Sequence, residues 1–245
     1  MEFQLSASQL LDVCDRARQQ NQVQRALALY ALARPGESYE TLARATIGRR
    51  DQDLLKLRES IFGPAITAAA ACPACGQAVE VEFSVGDIGP GPAGELEETH
   101  MLQLDGYQVW FRLPNSEDLI SLDPRADSAM RKSALLSRCV SEVRVNNSPE
   151  TVQVWPESLV TALSERMAEL DPQGDIHLTL NCPACRQVWG APIDIVSFLW
   201  SEIETWALRM LGDVHELACA YGWRESDILG LSPWRRQAYL ELLGS

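Results

Sequence analysis

Two identical tetrapeptides, Cys72-Pro73-Ala74-Cys75 and Cys182-Pro183-Ala184-Cys185, stand 106 residues apart in a chain of 245. Two thiolates three positions apart reach one metal ion, because the tight turn between them aims backbone N–H groups at sulfur. Two such pairs complete the tetrahedral four-cysteine set that zinc prefers in structural sites. If one ion holds both pairs, everything between them becomes an insertion closed at its base. Ordinary zinc ribbons have roughly 15–20 residues there. Reaching 106 residues takes between two and three doublings of loop length, at about 0.6 kcal/mol each. Structural zinc binding is worth on the order of 10–16 kcal/mol, so the ion is strong enough to tie the ends together.

Other arrangements use the same residues: two separate redox pairs, half-sites that bind zinc between subunits, or buried thiols without metal. A redox CxxC needs a strand leading into a helix, and neither pair opens a helical pattern. No histidine or glutamate stands beside the pairs to create an open coordination position, so a metal here is structural. Gly76 follows the first pair, where a left-handed residue is common, and Arg186 takes that place in the second.

The pairs also divide the charge. Of the net −13, residues 1–71 carry +1, residues 72–193 carry −10 and residues 194–245 carry −4. An acidic chain argues against a nucleic-acid binder, and a 46% apolar content excludes wholesale disorder. The N-terminus has no basic stretch followed by an apolar one, and no run approaches 18 uncharged apolar residues, which predicts a soluble, cytoplasmic protein. An odd count of seven cysteines without a secretory signal points to thiols and metal sites.

The periodicity predicts a helical segment over 1–71, with Leu10, Leu11 and Val13 opening one apolar face and RALALYALA at 25–33 made of helix formers. Ser38 caps a short helix, and Gly48 precedes another that Gly63-Pro64 closes. The middle segment, 72–193, mixes types. VEVEFSV (79–85), YQVWFRL (107–113) and IHLTLN (176–181) alternate as strands, and VRVNNSPETVQVW suggests two strands around Asn146-Asn147. Residues 87–98 form a Pro/Gly-rich acidic loop, Ser116 caps a short turn, SAMRKSALLSRCV (128–140) is helical, and Pro156 opens a further helix. In the last segment, 194–245, Ile195, Leu199, Ile203, Trp206, Met210, Val214, Leu217 and Tyr221 recur as a narrow seam on one long helix. Ser232-Pro233 then starts a final one. The expected fold class is α+β: helical ends packed together around a zinc-ribbon-like four-cysteine site, with an acidic mixed insertion between the knuckles.

The remaining candidates are weaker. Cys14, Cys139 and Cys219 lie in apolar helical surroundings and are expected to be core thiols. His177 is the one histidine near a cysteine pair, but four sulfurs suffice. Arg49-Arg50 is expected to be a solvated helix start. Trp200, Trp206, Trp223 and Trp234 crowd the last quarter of the chain; these belong mostly to core, and an exposed one would anchor a partner. No nucleophile elbow, phosphate loop, catalytic carboxylate pair or cofactor fingerprint is present, so no enzyme is expected.

The run IGRRDQDLLKLRESIFGP at 47–64, the two CPAC motifs and the block from PIDIVSFLW through AYGW and DILGLSPWRRQAYLELL resemble the T-even-phage-type baseplate hub assembly chaperones of contractile injection systems. The likeness is loose over the first 80 residues, close over 182–243, and most specific in the C-terminal block. It implies a chaperone or adaptor that binds a hub, spike or tube-initiator protein, with a permanent baseplate subunit as the alternative. It also implies that Cys72, Cys75, Cys182 and Cys185 are ligands of one structural Zn2+. The seam with its tryptophans is the expected partner surface, unless it packs on the N-terminal helices as core.

Overall fold

The computed structural model describes residues 5–88, 98–152 and 154–244. The acidic loop expected at 87–98 falls mostly on 89–97, outside the described residues. Four helices open the chain: α1 (Ala7–Ala17), α2 (Gln22–Ala33), α3 (Tyr39–Arg44) and α4 (Ile47–Phe62). Ser6 and Asn21 cap the first two, each in a reciprocal box with a glutamine at the third helical position, and Ser38 caps the third. Their apolar faces, among them Leu10, Ala26, Leu29 and Leu54, close on Ile195, Leu199, Ile203 and Met210 of α8 (Ile195–Tyr221) in one core. The helical ends of the chain therefore pack together. The far half of α8 carries a smaller core in which Val214 and Leu217 meet Ile228 of α9 (Glu225–Leu229) and Tyr239 of α10 (Pro233–Leu243).

Two short hairpins interrupt this helical body. β1 (Ala65–Ala71) pairs antiparallel with β2 (Ala78–Ser84), and β7 (His177–Asn181) with β8 (Val188–Pro192). The alternation of the strands puts Ile66, Ala68, Ala70 and Cys72 on one face, and Leu178, Leu180 and Cys182 on the corresponding face of the second hairpin. These faces line a common apolar cleft, so the hairpins lie face to face. Neither β1 nor β8 follows from local propensity: AITAAAA is rich in helix formers, and VWGAP contains glycine and proline. Pairing with a strongly alternating partner overrides both.

Between the hairpins lies the insertion. β3 (His100–Leu104), β4 (Tyr107–Phe111), β5 (Val140–Val145) and the two-residue β6 (Ser148–Pro149) form an antiparallel sheet in sequence order. Val109, Phe111 and Val143 pack against Leu136 of α6 (Ser128–Cys139) and against Leu159 and Leu163 of α7 (Glu157–Leu170). The short α5 (Ser116–Ile120) is capped by Asn115, one residue earlier than expected: Asn115 Oδ1 accepts from the Asp118 N–H, while the Ser116 hydroxyl is taken by Arg50. Asp118, 1% exposed, takes a bidentate pair from Arg112 at 2.6 and 2.8 Å and a third contact from Arg138 at 3.3 Å. Burial alone would raise its pKa. The Arg112 guanidinium, the Asn115 N–H and Arg138 outweigh that and hold it below the ordinary 3.8.

The insertion is fastened to the helical body at a second place, the start of α4. Thr46 caps the helix, so α4 begins before Gly48 rather than after it. The Gly48 N–H donates to Asp171 Oδ2 at 2.8 Å, in the loop that follows α7. A Cβ on Gly48 would stand 1.9 Å from Asp171 Oδ1, which is why glycine occupies this helical position. Ile47 N–H donates to the Pro114 carbonyl at 3.1 Å, and Arg50 reaches Ser116 at 3.1 Å. Arg50 is thus buried, paired with Asp51 at 2.7 Å, and only Arg49 is exposed as expected for a solvated helix start.

Gly48→Ala is expected to cost about 2–4 kcal/mol through overpacking and a lost cap. Gly212→Ala, where a Cβ meets nothing within 4 Å, should instead stabilise α8 by about 0.5–1 kcal/mol; denaturant melts of both variants check the contrast. Because Asp118 is held below its ordinary pKa, its contribution is present above pH 3.8 and lost as pH falls through the folded-state value. Asp118→Asn should therefore cost about 2–4 kcal/mol at pH 7, a gap that narrows in melts below about pH 4.

Candidate functional site

Each CPAC motif forms the turn of its hairpin, and the two turns have the same construction. The Cys72 N–H donates to the Gln77 carbonyl at 2.8 Å and the Gly76 N–H to the Cys72 carbonyl at 2.9 Å. In the second turn Cys182 N–H donates to Gln187 and Arg186 N–H to Cys182, both at 2.9 Å. Gly76 has φ +75° and Arg186 φ +61°, so the arginine takes up the left-handed conformation without glycine's freedom. The local fold thus repeats where the sequence repeats.

The face-to-face hairpins bring the four sulfurs within 4.8 Å of one another. Cys72 Sγ lies 3.6 Å from Cys185 Sγ, and Cys75 Sγ 3.6 Å from Cys182 Sγ. These separations are far beyond the roughly 2.05 Å of a disulfide. They fit the edges of about 3.8 Å that follow from four sulfurs held tetrahedrally about 2.3 Å from a central ion. The four cysteines can therefore hold one metal ion within a single chain, and neither motif opens a helix. Cys72 and Cys182 are buried, whereas Cys75 and Cys185 are exposed.

Electrostatics favour a cation at the centre. Backbone N–H groups of Cys185 and Ala184 pull Cys182 down to about 7, the first of them by the largest margin and against the cost of burial. The Gln187 N–H favours the Cys185 thiolate, but burial and the three facing sulfurs outweigh it and push that thiol up to about 12. The Gln77 N–H likewise favours the Cys75 thiolate, yet Cys182, burial and Cys72 leave it raised. Once one sulfur ionises, the others resist; a divalent cation reverses that resistance by stabilising all four thiolates together.

His177 lies on the outward face of β7, its Nδ1 3.2 Å from the Asp175 carbonyl, away from the sulfurs. Cys14 and Cys139 are buried, and burial raises both thiols to about 11. Cys219 departs from expectation: it is exposed, with its sulfur 3.9 Å from His215 on the adjacent turn. Its position falls outside the line of Val214, Leu217 and Tyr221, so the seam does not cover it.

The four tryptophans do not form one surface. Trp200 is core, 4% exposed, with Arg25 stacked 4.7 Å from its ring centroid. Trp206 is half-buried against the same core. Trp223 is half-buried, stacked on Tyr221 at 4.7 Å and edge-on to Tyr239 at 4.8 Å. Trp234 alone is open, at 77% exposure. The seam of α8 is therefore spent on the two helical cores, and Trp200 in particular is no free partner contact. Among the described residues no helix is long and apolar enough to cross a membrane.

Residues 15–200 match the family described as T4 bacteriophage base plate protein. No curated protein and no solved structure shows a match. The match contains both cysteine pairs and stops within α8, so the C-terminal block that carries the sequence resemblance most specifically lies beyond it.

Metal-loaded protein is expected to show one rapidly reacting thiol, Cys219, since Cys14 and Cys139 are buried and four sulfurs are ligated. After a strong chelator that number should rise to five, the four ligands plus Cys219. Thiol titration before and after chelation, alongside metal analysis of the released fraction, checks both counts. Cys75→Ser or Cys185→Ser should abolish stoichiometric metal while leaving the Cys219 reaction unchanged.

Proposed function

We propose, from the premise that the chain belongs to the T4 bacteriophage base plate protein family, that it is a non-enzymatic assembly chaperone or adaptor for the baseplate of a contractile injection system. Its partner is a hub, spike or tube-initiator protein. The observation that carries the reading is the family match over residues 15–200, which encloses both halves of the sulfur cluster. The cluster supports a structural role rather than chemistry: four protein sulfurs fill a tetrahedron and leave no position for water or substrate. Zn2+ is the ion this donor set suits, since thiolates select soft or borderline metals and zinc adds no redox chemistry. The acidic middle of the chain, −10 over residues 72–193, favours a basic partner and opposes self-association.

The test uses cells that carry the whole injection-system gene cluster. A tagged chain should co-purify with a hub, spike or tube-initiator protein, and deletion of the gene should leave tubes or sheaths without assembled baseplates. Finished particles should lack the chain; its presence there at fixed stoichiometry would identify a permanent subunit. Normal particles from the deletion strain would overturn the baseplate-assembly role. Purified protein should carry one zinc per chain, and catalysis of disulfide exchange by the metal-free form in these cells would favour the thiol-redox alternative instead.

A further inference from the structure

Away from the sulfur cluster, one groove carries chemistry that the chain itself does not use. It has a volume of about 200 Å³ and runs between α1 and the middle of α8. One wall includes Trp200, a core residue whose buried indole N–H finds no acceptor among the described residues. Leu208 and Leu211 of the same helix, 68% and 47% exposed, also line it, and α1 contributes Leu11, Cys14 and Asp15. Asp15 and Glu204 line the same groove together with Arg18, and among the described residues no basic side chain pairs with either carboxylate. Both carboxylates act on Cys14 beneath them, whose thiol is pushed up to about 11 first by burial, then by Glu204 and Asp15.

Singly exposed leucines are ordinary on a protein surface. Two of them, one turn apart, beside two carboxylates without a basic partner, form a coherent surface. Leu208 and Leu211 also stand on a different face from the buried seam: Glu204, Leu208, Leu211, His215 and Cys219 are spaced 4, 3, 4 and 4 along α8. That spacing puts the two leucines on an exposed face of the long helix, one turn from Glu204.

We propose that this groove docks an amphipathic segment of a baseplate partner, seating an aliphatic side chain between Leu208 and Leu211 and presenting Lys or Arg to Asp15 and Glu204. The proposal rests on the assembly-chaperone reading and specifies the surface and the chemistry of the partner segment. Charge complementarity selects the occupant. Two unpaired carboxylates disfavour nucleic acid, and a second copy of a chain with net charge −13 brings like charge to the same rim. Helix-in-groove docking of this kind reads one apolar anchor per turn or two and sets register with flanking charges.

The experiment uses the full metal-loaded chain and each hub, spike and tube-initiator protein of the same gene cluster, purified separately. For whichever of them binds, Leu208→Asp and Leu211→Asp are each expected to weaken affinity at least tenfold. Asp15→Asn with Glu204→Gln should weaken it about fivefold at low salt, an effect that fades as ionic strength rises. All four substituted positions lie on the groove's surface, and unchanged circular dichroism and metal content will show that the fold is intact. A photo-crosslinker at position 208 should capture a Lys- or Arg-bearing segment of that same protein. Unaltered affinity in every variant would overturn the groove while leaving the assembly role standing. Binding of the wild-type chain to none of the proteins would overturn both, and crosslinks to a second copy of the chain would replace the assigned occupant.

Discussion

Four sulfurs within 4.8 Å of one another can share one cation, and here they come from turns that the chain separates by 106 residues. The rest of the molecule follows from making those turns coincide. α4 runs through Gly63-Pro64 straight into β1, and β8 runs through Ile193-Asp194 straight into α8. Bringing the hairpins face to face therefore delivers two helices, distant in sequence, side by side. Arg58 of α4 then forms a bidentate pair with Glu202 of α8 at 2.8 and 2.9 Å, while its remaining nitrogen donates to the Gly63 carbonyl at 2.7 Å. The guanidinium joins the helix that leads into one hairpin to the helix that leaves the other. The alanines of β1 belong to the same geometry, since small inward side chains let the sheets approach until sulfur meets sulfur.

The sulfur cluster alone would leave the insertion hanging from one end. The second attachment, at the start of α4, changes that. α4 is 16 residues long, about 24 Å at 1.5 Å per residue. Its C-terminal end leads to the sulfur cluster, and its N-terminal end receives Asp171, Pro114 and Ser116 from the insertion. The exposed N–H groups of a helix start attract a carboxylate, and Asp171 supplies one at the point where α7 ends. Burial raises the Asp171 pKa against the help of the Gly48 N–H, so the contact is maintained at an electrostatic cost. The acidic insertion is thus seated along one helix at both ends rather than swinging on a single pivot.

What the sequence made legible was whatever depends on short-range pattern: helix periodicity, caps at Ser38 and Ser232, and a cysteine repeat whose four sulfurs the fold brings together. What it hid depends on partners far along the chain. β1 is invisible because alanine's helix preference is defeated by VEVEF across the turn. Gly48 looks like a helix breaker because the reason for it, Asp171, lies 123 residues away. Arg50 looks solvated because Ser116 and the insertion that cover it are equally remote. The repeat itself held a further clue: two equal turns imply strands on both sides of each, four in all, where local pattern supplies two.

The tryptophans show the same division. Clustering in the last quarter of the sequence suggested a common surface, but Trp200 and Trp206 lie on α8, Trp223 follows it and Trp234 stands on α10, so no one face holds all four. Trp200 and Trp206 lie against the N-terminal helices, and Trp223 against Tyr221 and Tyr239. Composition can say that a segment is rich in large apolar residues; only the rotation of the helix says which of them the chain covers. On α8 the covered stripe runs through Leu199, Ile203, Met210 and Leu217, and the uncovered one through Leu208 and Leu211. The covered stripe packs on α1, α2 and α4 within the chain.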